Sequence, residues 1–153
     1  MMVDHGGYRR AHGHPGEAEE TRRDLQLTLL NTDHAVRQAR QATRIALAAW
    51  RLGYLEETAV LLVSELATNV VRHARDSGVI GLDLRAGPTW LRIEIADADP
   101  RWPQPRTPSW FDESGFGFIV VDSLAGKWGV REMATGKAVW AELDTRPGGR
   151  LNN

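Results

Sequence analysis

Leu25, Leu27 and Leu29 alternate with polar residues, and that period of two predicts a half-buried strand. From Asp33 the period lengthens. Val36, Ala39, Thr43, Ala46 and Leu47 fall on one stripe of a helix running to about Arg51, with Asp33 as its N-cap and Gly53 as its break. A second helix is predicted from about Leu55 to Arg75, its core stripe formed by Ala59, Leu62, Val63, Leu66, Val70 and Ala74, with Gly78 closing the segment. Ile80, Leu82 and Leu84 then alternate as a strand, and Leu91, Ile93 and Ile95 alternate against Arg92 and Glu94 as another. Residues 97–114 carry Pro100, Pro103, Pro105 and Pro108 and show neither period, so they predict a long loop. Residues 115–126 open on Gly-x-Gly and read as a helix; strands follow at about 127–133 and 137–144, turned by Thr135-Gly136. Strand pairs joined by short turns are antiparallel, so the order predicts an α+β fold: a two-layer sandwich of a mixed, mostly antiparallel sheet backed by helices.

Composition narrows the function classes. With 153 residues the chain suits one domain, predicted at 25–145 with a lid at 98–114. Residues 1–24 have little to bury and predict a disordered tail, and residues 146–153 predict a short C-terminal one. His5, His12 and His14 sit in the first tail, where no regular structure would hold a third metal ligand. Lys and Arg number 19 against 20 Asp and Glu, a balance that supplies no broad attraction to nucleic acid. Cysteine is absent, which excludes disulfides, thiolate metal sites and cysteine nucleophiles. No apolar run approaches the roughly 20 residues of a membrane helix. A cytoplasmic location is therefore expected, with neither membrane nor nucleic acid as partner.

The second helix carries the first chemical pattern. Glu65, Asn69 and His73 recur every four residues and form a polar row beside the Leu62, Leu66, Val70 stripe. Polar groups on a helix otherwise suited to burial are costly unless they face solvent, a cleft or a ligand. Spacing alone leaves those options open. Asp97 ends a strand where the long loop begins, and Ser114-Gly115-Phe116-Gly117 opens the last helix, where glycines permit close backbone approach and the helix N-terminus favours an anion.

This ordered set resembles the GHKL ATP-binding superfamily, and within it the bacterial anti-sigma-factor serine kinases and their small actinobacterial relatives. The resemblance spans about residues 25–144 and rests on VSELATNVVRHA at 63–74, IEIADADP at 93–100, SGFGFIVVDSLAGKWGV at 114–130 and GKAVWAEL at 136–143. It implies ATP and Mg2+ as cofactors and the histidine-kinase-like ATPase fold. It implies Asn69 as the Mg2+ ligand and Glu65 as the general base. Asp97 would accept from the adenine amino group. Arg72 and His73, farther along the same helix, are implied as nucleotide contacts. The backbone around Gly115, Phe116 and Gly117 would meet the phosphates, and Arg101 or Arg106 in the lid could substitute for the arginine that the family carries just before those glycines. A glutamate at position 65 suits a hydroxyl nucleophile better than an imidazole. The implied function is an anti-sigma-factor regulator that phosphorylates a small antagonist protein on Ser or Thr, with the sigma factor and antagonist as partners and homodimerisation as the family's habit.

Departures support a competing reading. The Asp-x-Gly-x-Gly of catalytic relatives reads Asp97-Ala98-Asp99-Pro100-Arg101, Glu113 stands where an Arg is usual, and Ala138 replaces a threonine. The alternative is a degenerate module that binds a partner, with or without nucleotide, and transfers no phosphate. Of the six tryptophans, Trp50 and Trp140 are expected in or beside the core, Trp90 and Trp128 at strand starts, and Trp102 and Trp110 in the lid.

Overall fold

The alternating runs pair into one sheet. In the computed structural model, which describes residues 2–4, 23–73, 78–97, 116–133 and 136–147, the strands are β1 (Met2–Asp4), β2 (Arg23–Leu30), β3 (Val79–Ala86), β4 (Trp90–Asp97), β5 (Lys127–Met133) and β6 (Gly136–Asp144). Their order across the sheet is β1-β5-β6-β4-β3-β2. Every neighbouring pair is antiparallel except β1, which lies parallel to β5. The helices are α1 (Ala35–Ala49), α2 (Glu56–His73) and α3 (Phe116–Leu124), with a single 3-10 turn at Gly53–Leu55. The sheet is thus mixed and mostly antiparallel, as expected.

One face of the sheet carries the core. Leu82 and Leu84 on β3, Leu91, Ile93 and Ile95 on β4, and Val139, Ala141 and Leu143 on β6 alternate toward the helices and are buried. Opposite them α2 contributes Leu62, Val63, Leu66 and Val70, each fully enclosed; burying such a side chain stabilises by roughly 1.5–3 kcal/mol. The helix α1 meets its neighbours through small residues, Ala35, Ala39, Thr43 and Ala46, which permit close approach. The Thr43 hydroxyl is satisfied by donating to the Ala39 carbonyl at 2.8 Å. α1 packs on α2, β2 and β3, α2 on β4 and β6, and α3 on α2 and β5.

Several local expectations are corrected. Met2–Asp4 and Arg23-Asp24, assigned to a structureless tail, are strand, because the β5 and β3 edges offer backbone partners whatever the side chains bury. Residues 5–22 lie outside the described residues. Arg146 is tied back rather than frayed: its guanidinium reaches Asp144 at 2.6 Å, and its backbone N–H donates to the same carboxylate at 2.8 Å. Those bonds hold Asp144 down to about 2. Helix α1 starts at Ala35 with His34 as N-cap, not Asp33, and the Thr32 hydroxyl accepts from the His34 N–H at 3.2 Å. Its end is fixed before Gly53. Arg51 takes the left-handed conformation with φ 59°. Its N–H donates to the Ala48 carbonyl, and the Leu52 N–H donates to Leu47, the double closure of a Schellman motif. At the β3–β4 turn Gly87 is held by packing, since an added Cβ would stand 2.3 Å from the Trp90 indole.

Candidate functional site

Strand directions determine what meets where. β2 ends at Leu30 beside Val79, the first residue of β3, and the next β3 residue, Ile80, pairs with Asp97 at the end of β4. Since β2 and β3 run antiparallel, α1 leads away from this end of the sheet and α2 returns to it, so the C-terminal half of α2 lies at the Asp97 end. β5 begins at the opposite end, with Lys127 beside Glu142. Helix α3 therefore runs from the Asp97 end toward Lys127, with its N-terminus at Phe116. Three features converge at one end: the Asn69 end of α2, the carboxylate of Asp97 and the positive end of the α3 dipole.

Within that end Glu65 is half-buried, Asn69 is 8% exposed and Arg72 is exposed. Asn69 is three residues beyond Leu66 and seven beyond Leu62, so helical geometry pulls it to the margin of the apolar stripe. Its Nδ2 is enclosed and has no hydrogen-bond partner among the described residues. A buried amide left unpaired costs roughly 1–3 kcal/mol, and protein interiors satisfy such groups almost without exception. Ser64, the preceding neighbour of Glu65, shows the ordinary solution by donating to the Val60 carbonyl at 2.7 Å. Asn69 has no such arrangement.

Asp97 is half-buried and shares the parity of Ile93 and Ile95, so it belongs to the helix-facing side of β4. Directly across the ladder stands Lys137 of β6, also half-buried and of the same helix-facing parity. Lys137 was not singled out from the sequence, although the Gly136-Lys137 pair lies within a quoted motif. The register also relocates Ala138. It pairs with Ala96 and Arg131 on the face away from the helices, so the threonine it replaces would not point into this end. That departure loses its bearing on the site.

The remaining expected residues separate cleanly. Phe116 and Gly117 form the first turn of α3. Gly115, Arg101 and the whole expected lid at 98–114, with Trp102 and Trp110, lie outside the described residues, and His73 is described only as the last residue of α2. Among the described residues no cluster of three His, Cys, Asp or Glu could by itself hold a metal ion. An ion here would need Asn69 and groups brought by a ligand. No helix among them is long and apolar enough to cross a membrane. Trp140 is buried, as expected, and belongs to the helix-free face of β6, where the Arg92 guanidinium stacks on its ring at 4.2 Å.

Comparison with known proteins agrees with this architecture. Residues 29–143 match the family model described as the histidine kinase-like ATPase domain. An uncharacterized protein of Streptomyces coelicolor, SCO4941, is 31% identical over 88 residues, covering 56% of this chain and 84% of its own length. The crystal structure of the RsbU and RsbW domains of Rv1364c from Mycobacterium tuberculosis superimposes with a TM-score of 0.54 at 20% identity. That match covers 80% of this chain but 35% of the longer protein, and at this identity it speaks for the fold alone. With most of its folded length inside the matched region, and with α2, Asp97 and the start of α3 gathered at one end of the sheet, the chain belongs to the histidine kinase-like ATPase domain family.

Proposed function

We propose that this protein binds Mg-ATP between α2, the Asp97 end of the sheet and the start of α3, and transfers the γ-phosphoryl group to a serine or threonine hydroxyl of a small antagonist protein. The observation that carries the reading is the unpartnered, enclosed amide of Asn69, one turn after a half-buried Glu65. A protein keeps such a group where a ligand completes it.

The donor set fits the expected group. The Asn69 Oδ1 is a hard ligand of the kind Mg2+ prefers, while its unpaired Nδ2 would donate to an oxygen of the nucleotide. When bound, Mg2+ would neutralise phosphate charge as the transferred group develops its own. Glu65 then serves to accept the proton of the attacking hydroxyl, while Asp97 accepts from the adenine amino group and so discriminates against guanine. Backbone N–H groups in the first turn of α3 orient the phosphates. Lys137, opposite Asp97, adds a cation at the same end. Catalysis in this scheme rests on position and charge.

The resemblance of the motifs at 63–74, 93–100 and 114–130 to anti-sigma-factor kinases favours a sigma factor and its antagonist as partners. Incubation with radiolabelled ATP and candidate antagonists should yield a phosphoprotein whose label is stable to acid and labile to base. Nucleotide binding without any labelled protein would favour the alternative of a partner-binding module without phosphotransfer, which the sequence Asp97-Ala98-Asp99-Pro100 motivates.

A further inference from the structure

Three neighbouring strands change character in the same row of the sheet. On the helix-facing side β4 runs Leu91, Ile93, Ile95 and then Asp97. β6, antiparallel to it, runs back through Leu143, Ala141 and Val139 to Lys137. β5 follows Trp128 and Val130 with Glu132. The register aligns all three changes: Ile95, Val139 and Val130 share one row, and Asp97, Lys137 and Glu132 share the next. The first row is buried. In the second, Asp97 and Lys137 are half-buried and Glu132 is exposed, while Ile80, on the other side of Asp97, is fully buried.

The apolar core thus ends, at the end of the sheet where α2, Asp97 and the start of α3 gather, in a rim that alternates acceptor, donor, acceptor. Gly136, at φ 148°, takes a conformation that favours glycine and opens β6, which makes Lys137 the first side chain of that strand. Cβ atoms of directly opposed residues lie about 4.5–5.5 Å apart. Asp97 and Lys137 therefore offer one acceptor and one donor, side by side, to a flat group seated above the last apolar row.

Adenine carries the complementary pair. Its 6-amino group donates, and the adjacent ring nitrogen N1 has a lone pair and no hydrogen. N9, which bears the ribose, lies across the ring system from both. With the phosphates at Asn69 and the first turn of α3, the base extends away from them with its N1–C6 edge leading, and N7 is set back toward the sugar. Guanine in the same seat fails twice, because its O6 faces the carboxylate and its N1–H faces the ammonium. Polar groups left mispaired in an enclosed site are costly, and that cost is the source of discrimination.

We infer that Lys137 is a second base-recognition residue, its ammonium donating to N1 of the adenine whose amino group donates to Asp97. The inference rests on the Mg-ATP reading of this site and extends it to a residue on a different strand. Selection of adenine is then shared between β4 and β6 and set by the register that pairs them.

Isothermal titration of the unaltered protein and of Lys137→Met with Mg2+ and ATP, 1-deaza-ATP or 7-deaza-ATP tests it. The 1-deaza analogue has a C–H in place of N1, and Lys137→Met keeps most of the apolar stem without the donor. The unaltered protein should bind ATP at least about tenfold more tightly than 1-deaza-ATP, the scale of a hydrogen bond from a charged group, and should bind 7-deaza-ATP within about twofold of ATP. Lys137→Met should lose that preference, its affinity for ATP falling to the level of the 1-deaza analogue and its affinity for the analogue unchanged. Equal binding of ATP and 1-deaza-ATP by the unaltered protein would overturn the inference without any variant. So would an equal loss of both nucleotides in Lys137→Met, the behaviour of a lysine that only braces Asp97 or attracts phosphate, or a penalty that follows N7 instead of N1. If the unaltered protein binds no ATP, the Mg-ATP reading and this inference fail together; ATP binding without dependence on N1 removes this inference alone.

Discussion

Glu65 and Asn69 stand one helical turn apart on α2, the first half-buried and the second enclosed with an unpaired amide. The assigned roles differ, so the two residues should separate experimentally. Glu65→Gln keeps the shape and removes the base. Nucleotide affinity should stay within about twofold, while transfer to the antagonist falls at least 10²-fold, the usual scale for a lost general base. Single-turnover kinetics beside equilibrium binding makes the distinction; equal transfer by the variant would remove Glu65 from the role.

The buried pair on the other face makes a stability prediction. Arg131 donates to Glu94, with side chains 7% and 10% exposed, and Arg92 approaches the same carboxylate at 3.5 Å. Removing one partner leaves the other charge enclosed, so Arg131→Met or Glu94→Leu alone should cost about 3–5 kcal/mol. The double variant should recover most of that loss, since a well-packed apolar pair replaces a desolvated ionic one at little net cost. Urea denaturation of the four proteins gives the coupling.

Asp83 should make stability fall as pH rises through the mildly acidic range. Burial, and then the facing Glu94, push its carboxyl up to about 6, although Gln26 donates to it and Arg85 pairs with it at 3.0 Å. Between the ordinary 3.8 and about 6 the folded state binds more protons than the unfolded one. The penalty is therefore absent below that window and complete above it. Asp83→Asn should raise stability near pH 7.5 by about 1 kcal/mol, a figure reduced for solvent screening, and leave it unchanged near pH 4. Equal effects at both pH values would contradict the assignment.

Arg51 holds a left-handed conformation that costs a non-glycine residue about 1 kcal/mol or more. Arg51→Gly should therefore stabilise by about 0.5–1 kcal/mol despite the larger unfolded-state entropy of glycine. Arg51→Val should destabilise. Thermal melts of both variants check the sign.

These cases show what the chain's pattern does and does not encode. Elements with a full period, such as Leu82, Leu84, Ile93 and Ile95 on strands or Leu62, Leu66 and Val70 on α2, were legible because each buries a continuous face. The helix ends were less so. Asp33 has the right chemistry for a cap, but the chain turned one residue later, and Arg51 closes the helix where a glycine two residues on was expected. β1 escaped notice because three residues carry no period and are held by backbone pairing to β5. At the site, Glu65, Asn69 and Asp97 could be named from spacing and resemblance. The position of Lys137 opposite Asp97, and of Ala138 on the far face, depends on sheet register, which emerges only when distant strands pair.

Asn69 is proposed to complete its hydrogen bonding with a ligand, Mg-ATP. Isothermal titration of the unaltered protein and of Asn69→Ala with ATP, with and without Mg2+, tests it most directly, alongside melting curves without nucleotide. Mg2+-dependent binding should weaken at least tenfold in Asn69→Ala, while the nucleotide-free variant should melt no lower than the unaltered protein, because an unpaired buried amide has been removed. Equal affinity in the two proteins, or no binding by the unaltered protein at millimolar nucleotide, would contradict it.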